Sequence, residues 1–317
     1  MNIVLTGSVA FDYLMTFPGY FKDHFLADKL DRISLSFLVD SLVRRPGGIA
    51  ANIAYTLALL GEKPKVMATV GEDFEEQRAW LESHGVDTSA IRTIPDAFTA
   101  SFFVNTDLSN AQIASFHTGA MAYSAQLSFS DLKDKPDLAV ISPNDPKAML
   151  KYTRECDRLG IAYIYDPSQQ LVRLDASDIR AGIETSRALF SNEYEFGLIE
   201  EKTGMDLRTI LRYAEFVVVT LGEDGTKIHT TDAEIHVPSV SPKLIADPTG
   251  VGDSFRGGFL KGYLHGLRLE LCGQMGSLAA TYCLESDGPQ GHYYELASFI
   301  QRFREHFDDE NELDRLL

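Results

Sequence analysis

Residues 247–258 read Asp247-Pro248-Thr249-Gly250-Val251-Gly252-Asp253-Ser254-Phe255-Arg256-Gly257-Gly258. The glycines at 250 and 252 free the backbone to turn sharply and leave its N–H groups exposed. A helical pattern follows from Asp253, so these donors lie at a helix N-terminus, where partial positive charge favours an anion. The segment therefore predicts an anion hole for a phosphoryl group in transfer, with the carboxylate of Asp253 placed over it as a general base.

The same segment also fits a simpler interpretation, a glycine-rich turn in which Asp253 is an ordinary N-cap residue. In the first interpretation the helix dipole keeps Asp253 ionised and makes it a weak base, which a loose phosphoryl-transfer transition state tolerates. The segment is not a Walker A loop, because no Gly-Lys-Ser/Thr follows, and no strand runs straight into it as in a Rossmann fingerprint. Glycine spacing alone leaves both interpretations open.

Outside this segment, short apolar runs alternate with amphipathic stretches to about residue 290. The apolar runs predict strands at 3–9, 65–70, 138–142, 161–166, 188–191 and 216–221. The amphipathic stretches predict helices at 50–60, 72–84, 146–159, 193–203, 207–213, 253–265, 270–285 and 293–306. Continuously apolar strands between helices are typical of a parallel sheet covered on both faces. We therefore predict an α/β fold with a central, mostly parallel sheet flanked by helices.

Two segments interrupt this alternation, and neither contains a plausible long helix. Segment 13–45 includes the alternating run 33–39, and segment 96–118 has strand-like pieces at 102–104 and 113–116. Strands from the two segments can pair as a small β-sheet outside the main domain, which is a natural lid. The predicted organisation is a large domain of residues 1–12, 46–95 and 119–317, with a lid of residues 13–45 and 96–118.

Composition limits the partners of the chain. Its 317 residues carry 29 Lys and Arg against 46 Asp and Glu, a formal net charge of −17. Such a chain repels a phosphate backbone, which argues against a nucleic-acid partner, so a nucleotide site must rely on helix N-termini, local cations and a metal ion. The three cysteines lack a CxxC spacing and the eight histidines lack metal spacing. With no signal-peptide pattern and no long apolar run, we expect a cytoplasmic protein without a membrane span.

Four elements resemble the ribokinase (PfkB) family of kinases. The pattern Asp-x-Thr-Gly-x-Gly-Asp-x-Phe at 247–255 resembles the C-terminal signature of that family, and Gly-Gly-Ile-Ala-Ala-Asn-Ile-Ala at 47–54 resembles its N-terminal signature. Between them, Asn-Glu-Tyr-Glu at 192–195 is similar to the family's Asn-x-x-Glu element, and residues 219–225 are similar to its nucleotide-side strand and turn. The four elements occur in family order across nearly the whole chain.

The resemblance implies a ribokinase-like fold that uses ATP and Mg²⁺. It implies an anion hole made by Gly250, Val251 and Gly252, with Asp253 as the catalytic base. It places ATP near Asn192, Thr220, Gly222 and Gly225, and it places Mg²⁺ near Glu195, held through water. A potassium ion near the anion hole is left open, because its ligands in the family are mostly backbone carbonyls.

Further stretches at 7–12, 35–40, 111–116 and 166–173 resemble the actinobacterial-type adenosine kinases of the same family. This resemblance implies a ribose site made of Ser8, Asp12, Ser36, Gly48 and Asn52, and an adenine held between Phe102 and Phe116. A carboxylate can accept two hydrogen bonds from a vicinal diol, and each aromatic stack on a base is worth about 1–3 kcal/mol. The alternatives are a turn residue for Asp12 and lid-core packing for the two phenylalanines.

Gln169, Gln170 and Arg173 follow the end of a predicted strand, where loops build sites in doubly wound sheets. The resemblance places these residues near substrate and phosphate, although an ordinary strand-to-helix loop also fits. Arg173 is the first candidate for the cation that an acidic protein needs beside a triphosphate, and Arg256 is the second.

These residues predict an ATP-dependent kinase that phosphorylates the 5′-hydroxyl of adenosine to give AMP and ADP. The nearest alternatives are a sugar kinase of the same fold acting on ribose or fructose and a broader nucleoside kinase. An adenosine-binding sensor is disfavoured by the presence of Asp253, Asn192 and Glu195, and an NAD-dependent enzyme by the lack of a glycine fingerprint after the first strand. A homodimer formed through the lid is left open.

Overall fold

The structure, a computed structural model, describes residues 1–25 and 34–317. Within these ranges the larger sheet consists of β1 (Ile3–Thr6), β4 (Lys65–Val70), β5 (Asp87–Thr93), β8 (Leu138–Ile141), β9 (Ala162–Tyr165), β10 (Ala188–Asn192), β11 (Phe216–Thr220), β12 (Thr226–His229) and β13 (Glu234–Val237). Their order is β13-β12-β11-β10-β9-β8-β1-β4-β5. The pairings from β5 to β11 are parallel, and β12 and β13 extend the sheet antiparallel. The predicted mostly parallel sheet is confirmed.

Helices cover both faces of this sheet. They are α1 (Ile49–Leu59), α2 (Glu75–Ser83), α3 (Pro146–Leu159), α4 (Ala176–Glu184), α5 (Glu193–Thr203), α6 (Leu207–Ile210), α7 (Val251–Leu264), α8 (Leu269–Leu284) and α9 (Leu296–Phe303). Ile3 and Leu5 of β1 pack into one apolar core with α1, α7 and α8, whereas Val4 packs into the other with α3. Because alternate residues of a strand face opposite sides, a strand buried on both sides must be apolar throughout.

The smaller sheet contains β2 (Ala10–Thr16), β3 (Ser41–Gly47), β6 (Ala100–Thr106) and β7 (Gln112–His117), in the order β3-β2-β6-β7. β2 pairs with β6 in parallel and with β3 antiparallel. The two segments that interrupt the α/β alternation therefore do form a small separate sheet. The exact bounds of the lid, 13–45 and 96–118, stay a prediction, although the strands themselves begin at Ala10 and extend to Gly47.

The alternating run 33–39 does not supply the lid strand that its pattern suggests. Residues 34–39 have no regular structure, Ile33 lies outside the described residues, and the strand starts only at Ser41. Phe37 instead packs edge-on against Phe17 and Phe21, with ring centroids 5.0 and 4.9 Å apart. Aromatic clustering thus replaces strand pairing there. None of the helices within the described ranges is long and apolar enough to span a membrane.

Candidate active site

The turn before α1 brings three of the predicted ligand-binding residues together. Gly48, the N-cap of α1, has a φ of +91°, and a Cβ there would lie 2.6 Å from the carbonyl oxygen of Ser8. A Cβ at Gly47 would lie 2.6 Å from Oδ2 of Asp12. Because both positions lack a side chain, α1 starts directly against the β1–β2 connection. Ser8, Asp12 and Asn52 therefore meet at the C-terminal edge of the large sheet.

The predicted anion hole lies at the start of α7. Gly250 is the N-cap with a φ of +78°, and the helix begins at Val251, two residues earlier than the sequence pattern suggests. Asp253 is therefore not the N-cap residue; its Oδ2 accepts a hydrogen bond from Nδ2 of Asn52 at 2.8 Å. The first N–H groups of a helix have no partner within the helix, so the turn at 250–252 can donate to an anion.

A pocket of about 620 Å³ opens between the small sheet and this helix N-terminus. It is lined by most of the residues that the sequence nominates for the acceptor: Ser8, Asp12, Gly48, Asn52, Phe102, Phe116, Gln169, Gln170, Arg173, Gly250 and Asp253. The remaining lining comes from Ala10, Ile49, Thr118, Met121, Pro143, Ser168 and Thr249. The structure thus gathers residues from distant parts of the chain around one cavity.

Two carboxyl groups mark the polar end of this pocket. Burial raises the pKa of Asp253 to about 6, against the opposing effects of Arg256 and the hydrogen bond from Asn52. Burial also raises the pKa of Asp12 to about 7, with further increases from Asp253 and Asp247. The expected low pKa of Asp253 is wrong in direction, because desolvation is the largest effect on this carboxyl group and raises its pKa. A carboxyl group with a pKa near neutrality is a better general base.

Two aromatic rings, those of Phe102 and Phe116, line the pocket from the small sheet. Phe102 and Phe116 are direct partners across β6 and β7, and Asp12 is the partner of Phe102 on β2. Since paired residues of adjacent strands share a face, these three side chains project together toward the pocket. Tyr13 and Phe103 stack on the opposite face with ring centroids 4.7 Å apart. Packing within the lid therefore belongs to that second pair, and the Phe102–Phe116 pair remains available to a ligand.

The loop after β9 adds hydrogen-bonding groups. Gln170 is 7% exposed, and its Oε1 has no hydrogen-bond partner among the residues that the structure describes. A buried, unpartnered acceptor facing a cavity indicates a donor on the ligand or an ordered water. Gln169 lies on the short helix Ser168–Val172 and Arg173 is the C-cap of that helix; both side chains are exposed and line the pocket.

The residues nominated for ATP lie beside this pocket rather than in its lining. Asn192 and Thr220 are neighbours at the ends of β10 and β11, and Gly222 and Gly225 form the following turn with φ of +63° and +89°. Asn192 also caps α5, where its Oδ1 accepts from the backbone N–H of Glu195 at 2.8 Å. Oε1 of Glu195 accepts from Oγ of Ser168 at 3.0 Å, which connects the two regions.

Glu195 and Asn192 offer oxygen ligands of the kind that Mg²⁺ prefers. No group of three or more His, Cys, Asp or Glu residues within the described ranges could hold a metal ion directly. A single carboxylate at the nucleotide fits Mg²⁺ that keeps most of its water and is bound mainly by phosphates. The residues present therefore fit the water-mediated arrangement predicted from the sequence.

Two nominated residues lie elsewhere than expected. Ser36 is exposed and does not line the pocket, since residues 34–39 do not continue the lid strand. Arg256 is buried and pairs with the buried Asp166, with Nη2 and Nε at 2.7 and 2.5 Å from its carboxylate oxygens. A Cβ at Gly252 would lie 3.0 Å from Nη1 of Arg256, so this cation lies behind the anion hole and is not a free cation for a triphosphate.

Sequence reasoning missed two residues beside the site, Arg45 and Gln290. Arg45 pairs with Asp247 at 2.5 Å and with Asp287 at 2.6 Å. Gln290 donates to Oδ1 of Asn52 at 3.0 Å. Arg45 lies two residues before the glycine signature at 47–54 and could have been suspected from that position, whereas nothing in the local sequence indicates the contact of Gln290.

Comparison with known proteins identifies relatives over almost the whole chain. Residues 8–294 match the pfkB family carbohydrate kinase. The chain is 30% identical to the nucleoside kinase of Methanothermobacter thermautotrophicus over 311 residues, which is 95% of each protein. It matches the structure of Burkholderia thailandensis nucleoside kinase in complex with inosine with a TM-score of 0.87 and 35% identity, covering 96% of this chain and 98% of that one.

The nucleoside kinase of Methanocaldococcus jannaschii, an archaeal member of the ribokinase family, has the same architecture. Its TM-score is 0.87 at 26% identity, over 96% of this chain and 99% of that one. The matched range includes the N-terminal glycine signature, the Asn-x-x-Glu element and the anion-hole segment. The four sequence elements and the complete fold thus agree on one family.

Proposed function

Because the chain belongs to the pfkB family of carbohydrate kinases, which transfer phosphoryl groups to hydroxyl acceptors, we propose that it is an ATP-dependent nucleoside kinase acting on the 5′-hydroxyl. The observation that carries the proposal is one pocket lined by two carboxyl groups with raised pKa, Asp253 at the start of α7 and Asp12 on the small sheet, and by the paired aromatic rings of Phe102 and Phe116 on that sheet. Adenosine remains an expected acceptor. The nucleoside kinase relatives, one of them bound to inosine, favour a broader purine range over an enzyme restricted to adenosine.

In this proposal the nucleoside lies with its base between Phe102 and Phe116. Asp12 accepts hydrogen bonds from the ribose diol, and Asn52 and Ser8 contact the sugar. The 5′-hydroxyl then points to Asp253, as the pocket lining allows. The 5′-oxygen forms a bond to the γ-phosphorus, the bond from that phosphorus to the β,γ-bridging oxygen breaks, and the hydroxyl proton passes to Asp253. The N–H groups of Val251 and Gly252 stabilise the charge on the transferred group.

ATP occupies the region of Asn192, Thr220, Gly222 and Gly225. Glu195 would hold Mg²⁺ through water, and the ion would neutralise the charge of the phosphates. Chelation of divalent ions with EDTA should abolish turnover, and added Mg²⁺ should restore it. A potassium ion near the anion hole, which the resemblance leaves open, would be held mainly by backbone carbonyl groups and would make turnover depend on potassium. Replacement of potassium by tetramethylammonium at constant ionic strength tests this last point.

An ADP-release assay across adenosine, inosine, guanosine, cytidine, ribose and fructose tests the proposal. We expect the highest kcat/KM for a purine nucleoside, because two rings can stack on the larger base. A higher kcat/KM for ribose or fructose would instead make the protein a sugar kinase. Similar values for adenosine and inosine would support a broad purine acceptor, whereas a strong preference for adenosine would restore the narrower reading.

We also propose that the enzyme works in the cytoplasm, where ATP is available, and that two copies associate through the small sheet. The outer strands of that sheet, β3 and β7, expose the apolar side chains of Leu42, Val43 and Ile113. Exposed apolar side chains on these strands support an interface between two copies at the small sheet. Light scattering after size exclusion should give a dimer mass that Leu42→Lys or Ile113→Lys reduces to a monomer. A monomeric wild-type protein would contradict the association.

A further inference from the structure

A chain of hydrogen-bonded amides leads from Gln77 of α2 to the carboxylate of Asp253. Nε2 of Gln77 donates to Oε1 of Gln290 at 2.9 Å, and Nε2 of Gln290 donates to Oδ1 of Asn52 at 3.0 Å. Nδ2 of Asn52 then donates to Oδ2 of Asp253 at 2.8 Å. Gln77, Gln290 and Asn52 are all buried, so water does not compete freely for these contacts.

The direction of this chain follows from its last member. An ionised carboxylate only accepts hydrogen bonds, so Asn52 must present its NH₂ group to Asp253 and its oxygen to Gln290. Gln290 must then present its NH₂ group to Asn52 and its oxygen to Gln77. Each amide has one accepting and one donating end, so a reversal at any member would reverse the others.

The loop that carries Gln290 is fixed against the anion hole. A Cβ at Gly250 would lie 2.3 Å from Cβ of Pro289, so the residue before Gln290 packs directly on the anion-hole glycine. Arg45 binds Asp287 at 2.6 Å, and a Cβ at Gly288 would lie 3.1 Å from its side chain. The position of Gln290 relative to Asn52 is therefore set by packing on both sides.

We propose that Gln290 is a positioning residue which, together with Gln77, fixes the amide orientation of Asn52 and thereby holds Asp253 as an oriented hydrogen-bond acceptor. The proposal rests on the proposed phosphoryl transfer in that Asp253 is the base of that reaction. Neither glutamine lines the pocket, so both act through Asn52.

The proposal predicts a shift in the pH dependence of the enzyme. The charged and titratable groups that act on or beside Asp253 are Arg256 on the same helix, Asp166 after β9, Asp12 on β2 and Cys283 on α8. Substitutions at 77 and 290 leave all of them in place. Gln290→Glu supplies only acceptors at this position, so Asn52 turns its NH₂ group toward Glu and its oxygen toward Asp253, which favours the protonated carboxyl group.

The experiment measures kcat/KM against pH for the wild type, Gln290→Glu and Gln77→Glu. The wild type should lose activity in two acidic steps, near pH 7 for Asp12 and near pH 6 for Asp253, and the lower step is the acidic limb to compare between variants. We expect Gln290→Glu to raise this limb by about one pH unit, the equivalent of one lost hydrogen bond to a charged group. Gln77→Glu should also raise the acidic limb, because it would reverse the amides of Gln290 and Asn52. Its own added charge is separated from Asp253 by these two amides. KM for ATP should not change.

Gln274→Glu is the matched control, since Gln274 is a buried glutamine of α8 outside the chain of amides. Its acidic limb should stay with the wild type. Unchanged limbs in both Gln290→Glu and Gln77→Glu would overturn the proposal. If Gln290→Glu does not fold, Gln77→Glu carries the same test, and Gln290→Met, which cannot orient Asn52, should lower kcat about tenfold with KM for ATP unchanged.

A carbon-13 NMR titration of Asp253, assigned by comparison with Asp253→Asn, separates this inference from the proposed function. It reads the carboxyl group directly and needs no substrate. A raised pKa in Gln290→Glu without any nucleoside phosphorylation by the wild type would support the amide chain and reject the function. Kinase activity with an Asp253 pKa equal in all variants would do the opposite.

Discussion

Asp12 and Asp253 line the same pocket, yet their surroundings suit them to different tasks. Asp253 stands in the first turn of α7 and accepts its hydrogen bond from Asn52. Asp12 lies on a lid strand, where its register partners are Arg45 and Phe102. One carboxyl group is thus next to the turn proposed to bind the phosphoryl group, and the other is next to the ring proposed to stack on the base. A lid carboxylate fits sugar recognition, and a helix-start carboxylate fits proton removal.

This difference predicts opposite kinetic effects for two matched substitutions. Asp253→Asn keeps the shape but cannot accept the 5′-hydroxyl proton, so kcat should fall by about 10²–10⁴. Asp12→Asn should mainly raise the nucleoside KM, because one charged hydrogen-bond acceptor for the diol is lost. Steady-state kinetics with saturating ATP measures both. Retention of more than about a tenth of wild-type kcat by Asp253→Asn would remove Asp253 from the mechanism.

The raised pKa of Asp253 also predicts a pH-dependent cost in stability. Its pKa is about 6 in the folded protein against an ordinary value of 3.8, so the native state binds more protons than the unfolded chain between these values. Stability contributed by this group therefore falls as the pH rises from about 4 to about 6. Asp253→Asn, which cannot ionise, should unfold with a free energy about 1–2 kcal/mol higher at pH 7.5, after allowance for partial exposure.

Urea denaturation at pH 7.5 and pH 4.5 checks this prediction. The gain from Asp253→Asn should shrink at the lower pH, where the wild-type carboxyl group is protonated. A variant that is less stable than the wild type at pH 7.5 would show that Asp253 is not destabilised by burial. Together with the loss of kcat, the expected gain would be the usual exchange between stability and activity at an active site.

At the scale of elements, the sequence predicted the strands and helices whose buried residues form a regular pattern along the chain. β4 matches its predicted bounds because its residues from Val66 to Val70 are all buried, and α3 matches because its buried residues recur on one face. The edge strands β5 and β13, with the sequences Asp-Thr-Ser-Ala-Ile-Arg-Thr and Glu-Ile-His-Val, were missed because exposed edges require few apolar residues. These edge strands form because they pair with β4 and β12, and a local sequence pattern does not show such pairing.

The lid strands provide a prediction that depends on their register. Phe102 and Phe116 face the pocket, whereas Phe103, one residue away on β6, stacks on Tyr13 at the opposite face. Phe102→Ala and Phe116→Ala should each weaken nucleoside binding by about 1–3 kcal/mol and leave ATP binding nearly unchanged. Phe103→Ala, the matched control, should lower Tm with little effect on nucleoside affinity. Calorimetric titration of each variant with adenosine and ATP measures these differences.

An equal loss of affinity for ATP and adenosine in the two pocket variants would contradict a role in base stacking. A loss of adenosine affinity in Phe103→Ala as large as that in Phe102→Ala would also contradict it. Such results would indicate general disturbance of the small sheet, which is the lid-core interpretation that the sequence left open. The alternation of faces along β6 is what makes this comparison sharp.

For the whole molecule, the site combines local motifs with contacts that span the chain. Gly250 and Asp253 lie within one short motif and could be identified from it. The contacts of Asn52 with Asp253 and of Arg45 with Asp247 join residues 201 and 202 positions apart. The first pairing depends on how α1 packs against α7, and the second on how the small sheet meets the segment before α7, and a single sequence does not contain that information. Most residues that line the pocket were therefore predictable, whereas the residues that hold them in place were not.

The contact between the small sheet and the segment before α7 leads to a prediction about stability. Arg45, from β3 of the small sheet, binds Asp247 at 2.5 Å in front of the anion hole, with side chains that are 19% and 14% exposed. A pair this enclosed leaves an uncompensated charge when one partner is removed. A double-mutant cycle with Arg45→Met and Asp247→Asn, measured by urea unfolding, should give a coupling free energy of about 1–3 kcal/mol.

The neighbouring pair of Arg44 and Glu76 is the control for that cycle. It also joins β3 to the large domain, but its atoms are 3.5 Å apart and its side chains are 41% and 90% exposed. Exposed ion pairs are screened, so the coupling from Arg44→Met and Glu76→Gln should stay below about 0.5 kcal/mol. If both cycles gave equal coupling, Arg45 would be an ordinary surface charge. A large coupling in the Arg45 cycle alone, together with a lower kcat in Arg45→Met, would show that this ion pair links the small sheet to the anion hole. The reason is that Asp247 lies on the segment that leads into Gly250.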